Sequence, residues 1–345
     1  MKPLVSILIP AYNAEKTVAE TISSALAQTW ERKEIIVVDD GSTDNTARIA
    51  RRFAPGVTVL STENNGLCAA VNYAYRFSRG DYIQELDADD LMLPDKIERQ
   101  LAALRPGDSK RILLTSPWAP FFYRTSSARF IDNSLCQDLT PVECLLRKMN
   151  ENLHMQNATW LVSREIAEAA GPWDTRLHYD QDGEYFARVL LASEGTRFVP
   201  GTGIFYRASG VNSISYLGSS RKKRASLLLS LKLHIQYLRS LEDSERVRKA
   251  CVTYLQTWYG CFYPGHRDIC AELQSVAAQL QGHLEEETPL RRKFAWMKPV
   301  LGWKTANWAQ TTLPHLRASI IRRCDKAMYK WEARRERAKL SAERA

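Results

Sequence analysis

The 345-residue sequence predicts an α/β protein: a mostly parallel, twisted sheet flanked by helices, continued by a C-terminal helical extension. Three observations carry this expectation. Short β-rich runs alternate with segments of helical periodicity through the first hundred residues. Acidic and polar clusters follow the strand runs, as they do where strand ends share one ligand-binding rim. From Arg221 onward the pattern is helical, with Leu227, Leu228, Leu231, Ile235, Leu238 and Leu241 forming an apolar stripe.

In chain order, residues 4–9 read as a strand that stops at Pro10, which cannot donate to a ladder. Residues 14–28 carry Val18, Ile22, Ala25 and Leu26 at helical spacing. Residues 34–38 are a near-continuous buried-strand run ending in Asp39-Asp40-Gly41-Ser42. A helix follows from about Asp44, then a strand over 57–60. The loop 63–66 opens a helix to Phe77, and a strand over 81–86 delivers Asp87-Ala88-Asp89-Asp90. Right-handed crossovers would gather the C-terminal strand ends on one edge. Between 110 and 220 the pattern loosens: 112–114 and 159–162 are strand candidates, and 180–192 reads as a helix. The simplest division is a catalytic-type domain over 1–220 and a basic helical region over 221–345.

Composition narrows the function class. With 45% hydrophobic and 25% charged residues the chain is globular, and it lacks the roughly 18 consecutive apolar residues of a membrane span. Residues 4–9 faintly imitate a signal peptide, but no small-residue cleavage site follows. The seven cysteines include no C-x-x-C pair, which argues against a disulfide framework or zinc ribbon and for a reducing, cytoplasmic setting. Charge is uneven: residues 1–220 hold 23 basic and 27 acidic side chains, whereas 221–345 hold 25 and 12. Such a basic segment attracts nucleic acid, an anionic membrane or acidic substrates, although a solvated helix face is the plainer reading of any single cluster.

Chemistry concentrates at the strand ends. Carboxylates gathered on one rim repel an anion unless a divalent cation intervenes, and hard oxygen ligands favour Mg²⁺ or Mn²⁺. A metal-bridged diphosphate fits such a rim, with Asp89 as the economical ligand. Neither a G-x-G-x-x-G turn nor a P-loop follows the first strand, so a Gly-rich cradle does not hold the phosphates.

The segments Val5-Ser6-Ile7-Leu8-Ile9-Pro10-Ala11-Tyr12-Asn13, Val37-Val38-Asp39-Asp40-Gly41-Ser42-Thr43-Asp44, Asn65-Gly66 and Gly80-Asp81-Tyr82-Ile83 through Asp87-Ala88-Asp89-Asp90 resemble family 2 inverting glycosyltransferases of the GT-A fold. The resemblance runs from residue 4 to about 215. It implies a nucleotide-diphosphate sugar donor, with a UDP-sugar first in line, and a divalent metal. Pro10, Ala11 and Tyr12 would line the base, Asp39 would accept from a uracil-type ring, and Glu15 would sit nearby. Asp87 and Ala88 would face ribose or donor sugar, and Asp89 would bind the metal.

Asp182-Gly183-Glu184-Tyr185-Phe186-Ala187-Arg188 resembles the family's acidic helix start, which makes Asp182 the general base that deprotonates an acceptor hydroxyl. Gln181 and Val71 stand where the family often carries Glu and Arg, and Arg207 is a candidate replacement contact to the diphosphate. Trp173 is a candidate for the acceptor rim, and Trp160 for the core. The Gln-x-x-Arg-Trp motif of processive synthases is absent, so the resemblance implies transfer of a single sugar to a glycan or lipid-linked acceptor, as in bacterial surface polysaccharide or lipopolysaccharide synthesis.

In the basic third, Trp296, Trp303, Trp308 and Trp331 interleave with Lys and Arg. That composition suits peripheral contact with the cytoplasmic membrane surface, a homodimer arm or an anionic acceptor, with nucleic acid the weakest alternative. Two other functions stay in view. A nucleotidyltransferase would need an early basic Gly-rich loop, and a non-catalytic nucleotide-sugar sensor would leave the Asp182 helix without a purpose.

Overall fold

A computed structural model of the chain describes residues 2–208, 216–218, 220–263, 265–286, 290 and 292–342. The strands are β1 (Val5–Ala11), β2 (Lys33–Asp40), β3 (Thr58–Thr62), β4 (Tyr82–Glu85), β5 (Leu91–Met92), β6 (Ile112–Thr115), β7 (Trp118–Phe121), β8 (Val162–Ser163), β9 (Gly195–Phe198) and β10 (Ile204–Arg207). The helices of the sheet region are α1 (Val18–Leu26), α2 (Thr46–Ala50), α3 (Leu67–Phe77), α4 (Lys96–Ala102), α5 (Pro141–Glu151), α6 (Arg164–Ala170) and α7 (Gln181–Ala192). Beyond it run α8 (Arg221–Leu241), α9 (Glu245–Tyr259), α10 (Arg267–Gln279), α11 (Arg292–Ala295) and α12 (Met297–Ala342), the last interrupted at Gly302.

The main sheet has the order β3-β2-β1-β4-β8, parallel except for the antiparallel edge strand β8. Period-two alternation decides which side chains meet which layer. Ile7, Ile9, Ile35 and Val37 pack with Val18, Ile22 and Ile97 of α1 and α4 on one face. Leu8, Ile36 and Val38 pack on the other with α3, α5, α7 and the helices beyond. No helix among the described residues is long and apolar enough to cross a membrane.

Two local expectations are corrected. β1 does not stop at Pro10 but continues to Ala11, paired with Asp39. Leu8 turns its carbonyl toward the β4 side, where it accepts from Leu86. Pro10, two residues on, faces that same side after the β4 pairing has ended at Glu85, so its missing N–H leaves no ladder bond unmade. Residues 159–162 are a strand only at their end. Asn157–Thr159 forms a 3₁₀ turn, because the Gln156 side chain caps Ala158 and the Thr159 and Trp160 amides close back onto residues 156 and 157.

The helical region from Arg221 does not stand apart from the sheet. Leu227, Leu231, Ile235 and Leu238 of α8 join the same core as Leu8, Ile36, Tyr185 and Phe186. Each fully buried leucine of that stripe contributes about 1.5–3 kcal/mol of hydrophobic stabilisation. Ser219, beside the expected boundary, lies outside the described residues.

α8 also carries a fully buried histidine, His234, whose Nδ1 lies 3.0 Å from Tyr254 Oη. Burial pushes its pKa down to about 3, and its buried Nε2 has no hydrogen-bond partner among the described residues. A group whose folded pKa is depressed contributes stability above its unfolded pKa and withdraws it on acidification. Thermal unfolding is therefore expected to shift downward as pH falls from about 6.5 toward 3, and His234→Gln should flatten that part of the profile. An unchanged slope in the variant would show that other groups set the acid limit.

Candidate active site

Two loops after β1 and β2 build one wall of the site, and they are laced together. The Asn13 amide donates to Ser42 Oγ (3.0 Å), Asn13 Oδ1 accepts from the Thr43 amide (2.8 Å), and the Ala14 amide donates to Thr46 Oγ1 (2.7 Å). Gly41, with φ of 69°, lets the β2 turn pass Asn64 at a distance where a Cβ would collide with backbone. Against this wall lie buried Pro10 and Ala11 and exposed Tyr12. Asp39 is 6% exposed, and its buried Oδ1 has no hydrogen-bond partner among the described residues. A buried acceptor in that state can take a donor from water or from a bound ligand.

Asp40 does different work. It accepts from the amides of Asn65 (3.0 Å) and Gly66 (2.9 Å) and so fixes the start of α3. Glu15, expected near the base pocket, acts as a brace in the same wall. Its carboxylate accepts from the Asn45 amide and Nδ2, which ties the two loops.

β4 delivers the second wall. Asp87 accepts from Asn157 Nδ2 (3.1 Å), and burial together with the charges of Asp89 and Asp182 pushes its pKa up to about 7. Ala88 is buried and Asp89 half-buried, and the Asp89 carbonyl accepts from Arg207 Nε (2.8 Å). Asp90 is fully buried and accepts from Gln156 Nε2 and the Arg207 amide, both at 2.7 Å. Arg207 also reaches Glu20 (2.6 Å) and lies 4.5 Å over the Phe121 ring. Its guanidinium is therefore built into the Asp89–Asp90 loop.

Below the loop sits a buried polar truss. Lys96 Nζ donates to Gln84 Oε1 (2.5 Å) and Gln100 Oε1 (2.8 Å), and these glutamines donate to the carbonyls of Ala158 and Thr159. Burial pushes the Lys96 pKa well down. The truss sets the height of the turn from which Asn157 reaches Asp87.

Asp182 enters from the opposite side, in the first turn of α7, where the helix dipole favours an anion. It is half-buried, and its carboxylate makes no hydrogen bond among the described residues. Its charge raises the proton affinity of both Asp87 and Glu85, which puts the three carboxyls within electrostatic reach of one another. The helix start is held by α8. Asp180 takes a left-handed φ of 58° and accepts from Ser230 Oγ (2.5 Å), while Ser226 Oγ accepts from the amides of His178 and Tyr179. A Cβ at Gly183 would lie 2.2 Å from Asp180 Oδ1, so a larger residue there would displace the Asp180 carboxylate. Glu184 faces inward, paired with Arg188 (2.7 Å) and accepting from Tyr237 Oη (2.7 Å), which gives Arg188 a structural partner.

Trp173 is corrected from rim to core. It is 4% exposed, stacks on Tyr185 at 4.5 Å and donates from Nε1 to Glu85 (3.0 Å), leaving no face for a sugar. Trp160 is buried and stacks on Phe186, and Val71 is buried in the core. Sequence reasoning missed Glu85, whose burial raises its pKa well above the ordinary carboxyl range. The available signal was the polar pair Gln84-Glu85 inside an otherwise apolar strand.

Metal fit can be judged from the donor set. Among the described residues no cluster of three or more His, Cys, Asp or Glu side chains forms a complete cage. A Mg²⁺-type site needs only one or two carboxylates when substrate phosphates complete the shell. The charge of Asp89 adds to the cost of ionising Asp87, which a cation would relieve, so the residues fit that partial site.

An open, mostly parallel sheet with acidic loops at its C-terminal rim defines an α/β domain of the GT-A type. The profile described as "Glycosyl transferase family 2" matches residues 6–119. An uncharacterised glycosyltransferase of Rickettsia typhi is 32% identical over 191 residues, 55% of this chain and 60% of the relative. This chain thus spans less than two thirds of that relative's length. Residues 6–119 thus match the family 2 glycosyltransferase profile, and the similarity to this relative extends over 191 residues. Fold likeness extends further. TarS 1–349 of S. aureus, solved with UDP-GlcNAc, superposes with a TM-score of 0.64 at 14% identity over 89% of this chain and 91% of that one. The mannosyltransferase PcManGT of Pyrobaculum calidifontis, solved with GDP-Man and Mn²⁺, gives 0.50 at 17% identity over 96% and 88%.

Proposed function

We propose that the protein transfers a single sugar, with inversion, from a UDP-sugar to a hydroxyl of a glycan or lipid-linked acceptor of the bacterial surface type. The observation that carries the reading is that the charges of Asp89 and Asp182, from the strand-end loop and from the start of α7, both bear on Asp87. Support for a nucleotide base comes from the unpartnered Asp39 Oδ1. An ionised carboxylate only accepts hydrogen bonds, so it favours a ring N–H such as that of uracil N3 over the bare, lone-pair-bearing N3 of cytosine. Pro10, Ala11 and Tyr12 would supply the surface for the ring, and Ala88, buried in the same cluster as Ala11, would face ribose or donor sugar.

Asp89, beside Asp87, would hold Mg²⁺ or Mn²⁺, an assignment in keeping with the Mn²⁺ bound by PcManGT. When bound, the ion supplies positive charge that offsets the departing diphosphate. Asp182 accepts the proton of the attacking hydroxyl as its oxygen approaches the anomeric carbon from the side opposite the diphosphate. The α8 contacts to Asp180 and Glu184 keep that carboxylate on a fixed helix start.

A panel of nucleotide sugars tests the reading by thermal shift with Mn²⁺, followed by donor turnover. UDP-sugars should stabilise the chain by about 2.7 kcal/mol at a hundredfold excess over Kd, and CDP-sugars should not. Equal stabilisation by both would remove Asp39 from base recognition. Stabilisation without any hydrolysis or transfer would favour a donor-binding protein.

A further inference from the structure

The long helix α12 contacts the catalytic region through the side that carries Asp325. Asp325 accepts from the amides of Tyr123 (2.8 Å) and Arg124 (3.2 Å) and pairs with the Arg124 guanidinium (2.7 Å), which also reaches Glu332 (2.7 Å). Tyr329 lies against Tyr123 with ring centroids 6.0 Å apart. At 100° per residue, Leu316, Ile320 and Trp331 fall on the opposite side from Asp325. They are 53%, 63% and 49% exposed, and Trp308, further up the helix, is 58% exposed. Ahead of the Gly302 break, Trp296, Val300 and Leu301 are exposed as well. Scattered exposed apolar residues are ordinary, but a run of large ones along one element marks an interaction surface.

The charge around this surface is one-sided. Residues 292–335 contain eleven Lys and Arg against two acids, Asp325 and Glu332. Both acids are already paired with Arg124. Lys298, Lys304, Arg323, Lys326 and Lys330 are exposed on the same stretch.

We infer that the exposed face of α12 docks on the surface of a bilayer containing anionic phospholipid. The occupant must offer hydrocarbon to Leu316, Ile320 and the indoles, and negative charge to the cations around them. An anionic bilayer surface offers both in one plane, with Trp at headgroup depth and Lys and Arg against phosphates. A second copy of the helix brings the same positive charge to the contact and is repelled. Nucleic acid matches the cations but supplies no hydrocarbon for aliphatic side chains. The helix lies on the membrane rather than through it, since no described helix can span one.

The attachment has a geometric consequence. Arg124 follows β7, whose Phe121 carries the Arg207 guanidinium, and Arg207 holds the Asp89 carbonyl. The docked face is thereby tied, through packed side chains, to the donor rim. The inference does not depend on donor chemistry, because its readout is binding to lipid.

The test uses the full chain in co-sedimentation with vesicles of phosphatidylcholine alone or mixed with phosphatidylglycerol. Binding to the mixed vesicles should exceed binding to neutral ones by about tenfold or more and fall as salt is raised. Trp308→Ser combined with Ile320→Ser should remove most of it without moving the unfolding temperature, since both side chains face solvent. Brominated acyl chains should also quench wild-type tryptophan fluorescence, a readout that needs no variant. Three results each overturn the proposal: no preference for anionic vesicles, undiminished binding by the double variant, or a wild-type dimer that the double variant turns into a monomer with no lipid bound by either.

Discussion

Asp182→Asn should lower kcat for sugar transfer by about 10²–10⁴-fold, the usual contribution of a positioned general base, while leaving donor affinity nearly unchanged. The physical case rests on how little else the carboxylate does. It makes no hydrogen bond or ion pair among the described residues, so an isosteric amide orphans no partner. The helix start is secured by neighbours instead: Asp180 through Ser230, Glu184 through Arg188 and Tyr237. An amide at position 182 cannot take a proton from an acceptor alcohol, and the loss should appear in kcat rather than in donor binding. Turnover measured beside calorimetric titration of a UDP-sugar separates the two. Loss of donor binding together with turnover would move Asp182 from the base role to the donor pocket. Glu184→Gln makes the contrasting case. It weakens the pairing with Arg188 and should lower the unfolding temperature before it touches chemistry.

Much of this was legible from the chain alone, and the reasons differ by feature. β1 and the middle of β2 announce themselves because a strand buried on both faces is largely apolar, and the ends of β2 and β4 are marked by Asp39-Asp40 and by Asp87 in the loop that follows. The end of β1 was not legible. Whether Pro10 breaks a strand depends on where β4 stops pairing, a fact carried by residues more than seventy positions away. Trp173 was unreadable for the same reason. An indole in a Gly-Pro-Trp-Asp turn looks like a surface group until Tyr185 is found stacked on it and Glu85 beneath its N–H. The same distance hid Glu15, whose partner Asn45 belongs to the next loop. Least visible of all was α8. Its leucines predicted a packed helix, yet nothing in their spacing says that Ser226, Ser230 and Tyr237 hold the start of α7. Polar side chains on an amphipathic helix read as solvent-facing until their partners are known.

Adjacent aspartates give the second large effect, and they should behave oppositely. Asp89→Ala should abolish the extra stabilisation that Mn²⁺ adds to UDP-sugar binding and cut transfer by about 10²–10³-fold, the scale of losing one stabiliser of developing negative charge. Removing the divalent ion with a chelator should produce the same loss in the wild-type chain and little further loss in the variant. Unfolding without ligand should hardly change, because Asp89 is half-buried beside other carboxylates whose repulsion its removal relieves. Asp90→Ala should do the reverse. Asp90 is fully buried and accepts from Gln156 and from the Arg207 amide, so its loss orphans two buried donors at about 1–3 kcal/mol each. Thermal unfolding of the two apo variants, followed by titration with Mn²⁺ and UDP-sugar, distinguishes the roles. A stable Asp90→Ala chain, or an Asp89→Ala chain that still couples Mn²⁺ to donor binding, would mean that the two carboxylates have exchanged the parts argued for them. The donor rim would then have to be rebuilt around Asp87, the remaining acid at that strand end, whose proton affinity the charge of Asp182 raises.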